Sequence, residues 1–203
     1  NALFLLREER GISEQGRNDL EIVLSESERM AGMIDRLRTT YRPTQTEDFQ
    51  PTYLNNIIED VYALIATHLR KYEVAFEFLP DPNLPVVQAL PDQIRQVALN
   101  LLMNAVEAMP TGGTLTAQTV YLPETKEALL AVTDTGFGIP PSILPFIFDP
   151  FITNKKRGTG IGLTISHDIV VKHNGRIAAE NNPQGGAIFK VWLPIQPAAS
   201  EGE

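Results

Sequence analysis

Leu99-Asn100-Leu101-Leu102-Met103-Asn104-Ala105-Val106 places two carboxamides one helical turn apart in a run that is otherwise apolar. A helix that is apolar nearly all round belongs in a core, and a bare carboxamide buried there costs a few kcal/mol, roughly, unless it is hydrogen-bonded. Gln93, Gln96, Asn100, Asn104 and Glu107 follow one another at spacings of 3, 4, 4 and 3. That spacing sets all five on one helical face. A polar stripe on a core helix lines a cavity with polar contents, and residues 97–103 leave too little polar surface for a helix half in water.

The surrounding pattern mixes helices and strands without βαβ regularity. Pro51–Lys71 and Pro91–Met109 read as helices, and Gly160–His173 as a third. Val74–Leu79 and Val86–Ala89 read as strands, with an edge strand around Phe49 in the polar linker Pro43–Pro51. Thr114–Tyr121 with Ala128–Thr133, and Arg176–Glu180 with Ala187–Leu193, read as hairpins, the second turning at Asn182–Gly186. Strands paired as hairpins with helices on one face predict an α+β, two-layer sandwich.

Upstream, Asn1–Arg10 reads as a helix end stopped by Gly11, followed by a helix over Arg17–Arg42. Two registers, Leu20/Ser27/Ile34/Tyr41 and Val23/Met30/Leu37, repeat every seven residues with only Ser27 polar. Such a seam suits a helical hairpin that dimerises into a bundle. The expected division is a hairpin over residues 1–43, a catalytic domain over 44–197 and a tail over 198–203. The chain opens on Asn1 in what reads as mid-helix, as a piece of something longer would.

Bulk composition narrows the function. The net charge is -8, from 17 basic and 25 acidic side chains, which argues against a general nucleic-acid or membrane-surface role. There is no cysteine, so thiolate chemistry is excluded, and His68, His167 and His173 show no metal-ligand spacing. No apolar run approaches the ~18 residues of a bilayer span. Any phosphate ligand must be held by a few local cations and backbone amides.

Three glycine-bearing segments supply such groups. Asp134-Thr135-Gly136-Phe137-Gly138 ends an apolar strand, where an acid can accept a hydrogen bond from an exocyclic amino group and the glycines admit close backbone approach. Gly158-Thr159-Gly160-Ile161-Gly162-Leu163 opens a helix and exposes amides to an anion. Gly185-Gly186-Ala187 precedes the last strand. Calcium loops, plain turns and ordinary helix caps share each segment taken singly. Neither the dinucleotide fingerprint nor the P-loop ending is present.

In this order, with the asparagine helix upstream, LNLLMNA, DTGFGIP, IFDPFITNKK and GTGIGL resemble the N, G1, F and G2 boxes of the ATP-binding domain of sensor histidine kinases, in the GHKL superfamily. The resemblance covers roughly residues 45–195, and residues 1–42 resemble the second part of that family's dimerisation and phosphoacceptor hairpin. LNLLMNAVEAMP and FDPFITNK are most similar to kinases of the nitrogen-regulation type. The resemblance implies transfer of the γ-phosphoryl group of ATP to a histidine, for relay to a response-regulator aspartate, with ATP and Mg²⁺ as cofactors.

It also implies roles residue by residue. Asn104 would hold Mg²⁺ through its carboxamide oxygen, Asn100 would assist at the phosphates, and Asp134 would read the adenine amino group. Residues 139–158 would form a lid whose Lys155 reaches the phosphates. The implied pocket takes in Gly136, Gly138, Ile139, Phe148, Thr153, Gly158, Thr159, Gly160, Ile161, Gly162 and Leu163. Ala187 departs from the threonine or serine that many members carry there.

The implied partners are a second copy, through the hairpin, and a response-regulator receiver domain; the implied location is the cytoplasm, with any membrane sensor lying upstream. The family's acceptor motif is His-Glu-x-x-Asn/Thr-Pro-Leu, and Asn1-Ala2-Leu3 is similar to its tail, which puts the acceptor four positions before Asn1. The chain is then expected to bind Mg·ATP without phosphorylating itself. Other readings stay open: another GHKL ATPase, which would carry a hydrolytic glutamate where Asn100 stands; a serine-directed kinase; or a degenerate dimerisation module that only scaffolds.

Overall fold

The computed structural model describes residues 48–155 and 158–195. They fall in the second of the two units into which the chain divides, Thr44–Glu203. The expected hairpin over residues 1–43 and the tail over 198–203 lie outside the described residues.

Two layers build the domain. The first holds three helices, α1 (Leu54–Lys71), α2 (Pro91–Glu107) and α3 (Gly162–Lys172). The second is a five-stranded sheet of β2 (Val74–Leu79), β4 (Gly113–Leu122), β5 (Glu127–Asp134), β6 (Arg176–Asn181) and β7 (Ala187–Pro194), in the order β2-β4-β5-β7-β6. Two short strands, β1 (Gln50–Thr52) and β3 (Val87–Ala89), pair antiparallel apart from that sheet.

The α+β sandwich read from the sequence is therefore present, and both expected hairpins form, β4 with β5 and β6 with β7. The pairing of β2 was not foreseen: it lies parallel to β4, with Val74 opposite Gly113. Pro51 and Thr52, expected at a helix start, instead belong to β1. Proline fits there because an edge strand leaves one amide row unpaired.

Burial follows the periodicity. On α1, Leu54, Ile57, Ile58, Val61, Ile65 and Leu69 face the core, and on α2 Ile94, Val97, Ala98, Leu101, Leu102, Ala105 and Val106 do so. Along β5, alternate residues Ala128, Leu130, Val132 and Asp134 point to the same buried side. Strand geometry thus carries Asp134, the last of that series, under the helices. On the opposite side of the sheet, the guanidinium of Arg176 lies 4.4 Å from the Trp192 ring and pairs bidentately with Glu127.

One interior histidine fastens two helices of the first layer. His173 is 2% exposed. Its Nδ1–H donates to the Ile169 carbonyl at 2.7 Å and its Nε2 accepts from the Leu90 N–H at 3.0 Å. That arrangement fixes the neutral Nδ1–H tautomer and joins the end of α3 to the residue that starts α2.

Candidate functional site

The site assembles where α2 ends beside the end of β5. The Phe137 N–H donates to the Ala108 carbonyl at 3.3 Å, so the loop after β5 caps the C-terminus of α2. A side chain at Gly136 would collide with that same Ala108 carbonyl, so glycine alone permits the approach. The loop residues Gly136 and Gly138 are thereby placed against the last turn of the asparagine helix.

At the floor, Asp134 is 2% exposed. Its Oδ1 accepts from the Gly136 N–H at 2.8 Å and from the Ala187 N–H at 3.3 Å. No hydrogen bond among the described residues reaches Oδ2. Burial raises the carboxyl above its ordinary value, opposed by the Gly136 and Ala187 amides and then by the charge of Lys155. The substitution of Ala at 187 does not remove this contact, since the backbone amide makes it.

At the other end, the Lys155 ammonium donates to Asn104 Oδ1 at 2.9 Å and to Glu107 Oε2 at 2.7 Å. Two oxygens from one helical face therefore hold a single cation. Among the described residues, no cluster of three or more His, Cys, Asp or Glu side chains could hold a metal by itself. A carboxamide oxygen and a carboxylate nonetheless suit a hard ion that takes most of its ligands from water and phosphate. The ammonium is a stand-in cation on that donor set, and the residues fit the implied Mg²⁺.

Asn100 is turned elsewhere. Its Nδ2 donates to the Gly162 carbonyl and to Ser166 Oγ, both at 3.2 Å, while Ser166 Oγ donates to the same carbonyl at 2.9 Å. This carboxamide ties α2 to the first turn of α3. Ser166, fully buried, escaped the sequence reading because a serine on a G2 helix looks like any other polar position.

The glycine-rich segment leads into α3 through Ile161, with no side-chain cap and no acid in the first turn. Amides of that turn are left for an anion. Gly160 has φ +67° and sits against the Phe151 backbone, whose N–H donates to the Gly160 carbonyl at 3.0 Å. Thr153 Oγ1 accepts from the Lys155 N–H at 3.1 Å and abuts Gly158; Thr159 Oγ1 accepts from the Ile161 N–H at 3.4 Å.

Other expected members serve as supports. Phe148 packs on the core, its ring 5.8 Å from that of His167, and Leu163 also packs on the core. Ile139 uses its backbone: its N–H donates to Asn181 Oδ1 at 2.7 Å and its carbonyl accepts from Asn181 Nδ2 at 2.8 Å. Asn181 thereby moors Ile139 to the β6–β7 hairpin, a role no local sequence signal announces. A groove of about 370 Å³ beside this mooring takes in Gly138 and Ile139 but none of Asn104, Asp134 and Lys155.

Residues 89–197 match the family model of histidine kinase-, DNA gyrase B- and HSP90-like ATPases. The chain is 33% identical over 175 residues to the sensor histidine kinase ZraS of Salmonella typhi, covering 86% of this chain and 37% of that protein. It is 34% identical over 182 residues to the signal transduction histidine-protein kinase AtoS of Escherichia coli, covering 90% and 30%. It thus spans only about a third of the length of these curated relatives. Among solved structures, the nucleotide-free catalytic domain of histidine kinase ThkA superposes with a TM-score of 0.66 at 33% identity, covering 74% of this chain and 99% of that one. ThkA in complex with the response regulator protein TrrA matches with a TM-score of 0.69 at 27% identity, covering 96% and 56%. With its matched stretch exceeding half its length, the chain belongs to the histidine kinase-, DNA gyrase B- and HSP90-like ATPase family, and within it to the catalytic domains of histidine kinases.

Proposed function

We propose that this chain is the ATP-binding catalytic region of a sensor histidine kinase, which moves the γ-phosphoryl group of Mg·ATP onto an imidazole nitrogen of a dimeric helical hairpin for relay to a receiver-domain aspartate. One observation carries the reading: a cation is held by Asn104 and Glu107 in the last turn of α2, and the Ala108 carbonyl at the end of that same helix receives the loop that follows the buried carboxylate of Asp134.

Each residue then has a task. Asp134 Oδ2 accepts from the adenine amino group while Oδ1 stays fixed by its two amides. Asn104 is the residue that would hold Mg²⁺, which supplies charge neutralisation along the triphosphate when bound. Lys155 donates to phosphate oxygens as a point charge, and the amides at the start of α3 add to that cradle. In the transfer, the imidazole nitrogen forms a bond to the γ-phosphorus, the bond to the β–γ bridging oxygen breaks, and ADP leaves. Catalysis of this kind is positioning and electrostatic stabilisation.

Asn100 favours the kinase over the hydrolytic members of the family. Both groups facing its Nδ2 are acceptors, because the Ser166 proton is committed to the Gly162 carbonyl. A glutamate base at this position has no proton to give them. A receiver domain as partner is supported by the ThkA–TrrA complex, and a second copy by the heptad seam over residues 20–41.

Calorimetric titration with nucleotides tests the reading. ATP with Mg²⁺ binds, and GTP binds more weakly by about tenfold or more, because its carbonyl at the corresponding ring position confronts Asp134 with a second acceptor. Equal affinity for the two would remove Asp134 as the base reader, and no heat with either would remove the site.

A further inference from the structure

Glu107 is the last residue of α2, where the aligned peptide dipoles present negative charge. A carboxylate is disfavoured at that end, and the final turn of α2 contains no basic residue to offset it. The compensation comes from outside the helix: Lys155, 48 positions away in the chain, makes a 2.7 Å ion pair with Glu107 and at the same time occupies Asn104 Oδ1. Neither side chain is strongly exposed, at 27% for the lysine and 35% for the glutamate, so water screens the pair only partly.

We propose that Glu107 makes nucleotide binding at this site dependent on a divalent metal, by holding Lys155 as its counter-ion until the metal replaces that charge. The inference rests on the ATP-site reading above. Lys155 cannot serve the triphosphate and Glu107 together at full strength. Metal-free ATP, with up to four negative charges, must draw the ammonium away and leave Glu107 unpaired at the negative end of α2, one turn from Asn104. Like charges placed so close repel strongly where water is partly excluded. With Mg²⁺ on the triphosphate, the positive charge that Glu107 gives up in Lys155 is returned by the metal, and Asn104 Oδ1 exchanges one cation for another.

Affinity for ATP measured by calorimetry in Mg²⁺ and in EDTA tests this, using the wild type, Glu107→Gln, Glu107→Ala and Lys155→Gln, with folding checked by circular dichroism. In the wild type, EDTA weakens binding. In both Glu107 variants the ratio of the two dissociation constants shrinks by about tenfold, through tighter binding in EDTA. Lys155→Gln weakens binding in both buffers. A ratio unchanged in the Glu107 variants overturns the proposal, and so does a ratio that shrinks only through weaker binding in Mg²⁺, which would make Glu107 a metal ligand and nothing more. If the folded wild type binds ATP in neither buffer, the ATP-site reading itself fails, an outcome distinct from both.

Discussion

Asp134 and Ala187 stand 53 residues apart in the chain, yet the amide of one holds the carboxylate of the other at 3.3 Å. The contact spans the neighbouring strands β5 and β7 and fixes the buried acid in one orientation before any ligand arrives. Such preorganisation lowers what binding must spend on ordering.

Replacing that acid separates binding from stability. Burial raises the Asp134 carboxyl, so its contribution to stability is complete below the ordinary value of 3.8 and is lost as pH rises through the higher folded-state value. At neutral pH the ionised group therefore burdens the fold. Asp134→Asn keeps an oxygen for the Gly136 and Ala187 amides, and its melting temperature at neutral pH is equal to or above that of the wild type. Its affinity for Mg·ATP falls ten- to a hundredfold, the worth of a hydrogen bond to a charged acceptor, about 1.5–3 kcal/mol. Calorimetry and thermal denaturation on the same sample check both halves; undiminished affinity would refute the assignment.

Asn100→Asp presents a carboxylate to the Gly162 carbonyl and to Ser166 Oγ, whose proton is already given away. Loss of two donated bonds between α2 and α3 costs about 1–3 kcal/mol. Urea denaturation is expected to show that loss at pH 7, and Asn100→Gln to show a smaller one. A variant as stable as the wild type would mean that the carboxamide is not a fastening.

The glycine pair before β7 offers a contrast within two residues. Gly185 has φ +104° with open space around it, whereas a side chain at Gly186, φ +86°, would run into the Asp134 backbone. Gly185→Ala costs only backbone strain, about 1 kcal/mol, and leaves nucleotide affinity intact. Gly186→Ala displaces Asp134, lowers stability further and abolishes measurable ATP binding. Equal behaviour of the two variants in calorimetry would show that the hairpin does not position the acid.

His173 gives the fold an acid limit. Burial depresses its imidazole below the ordinary 6.5, partly offset by the Ile169 carbonyl, and the charge of Lys172 lowers it further. The folded state keeps the ring neutral while the unfolded chain takes up a proton below about pH 6.5. The stabilising contribution is complete above that value and is lost as pH falls toward the folded-state value. Urea midpoints between about pH 8 and 5.5 should decline for the wild type and decline less for His173→Gln. Parallel declines would place the sensitivity elsewhere.

Period and turn chemistry determined the two-layer class, three helices and both hairpins, while the ordered motifs, through the resemblance they carry, marked Asn104, Asp134 and Lys155 as candidates for one site. Alternation along Glu127–Asp134 even decides that Asp134 is buried, because every second residue of a strand shares one face. Tertiary structure decided the rest. The parallel register of β2 on β4, the turning of Asn100 toward Ser166, the mooring of Ile139 by Asn181 and the pairing of Lys155 with Glu107 join residues 39 or more positions apart. A local pattern reports which face a residue takes, but not which distant donor or acceptor arrives opposite it; that choice is made only when the layers close and each buried polar group must find a partner.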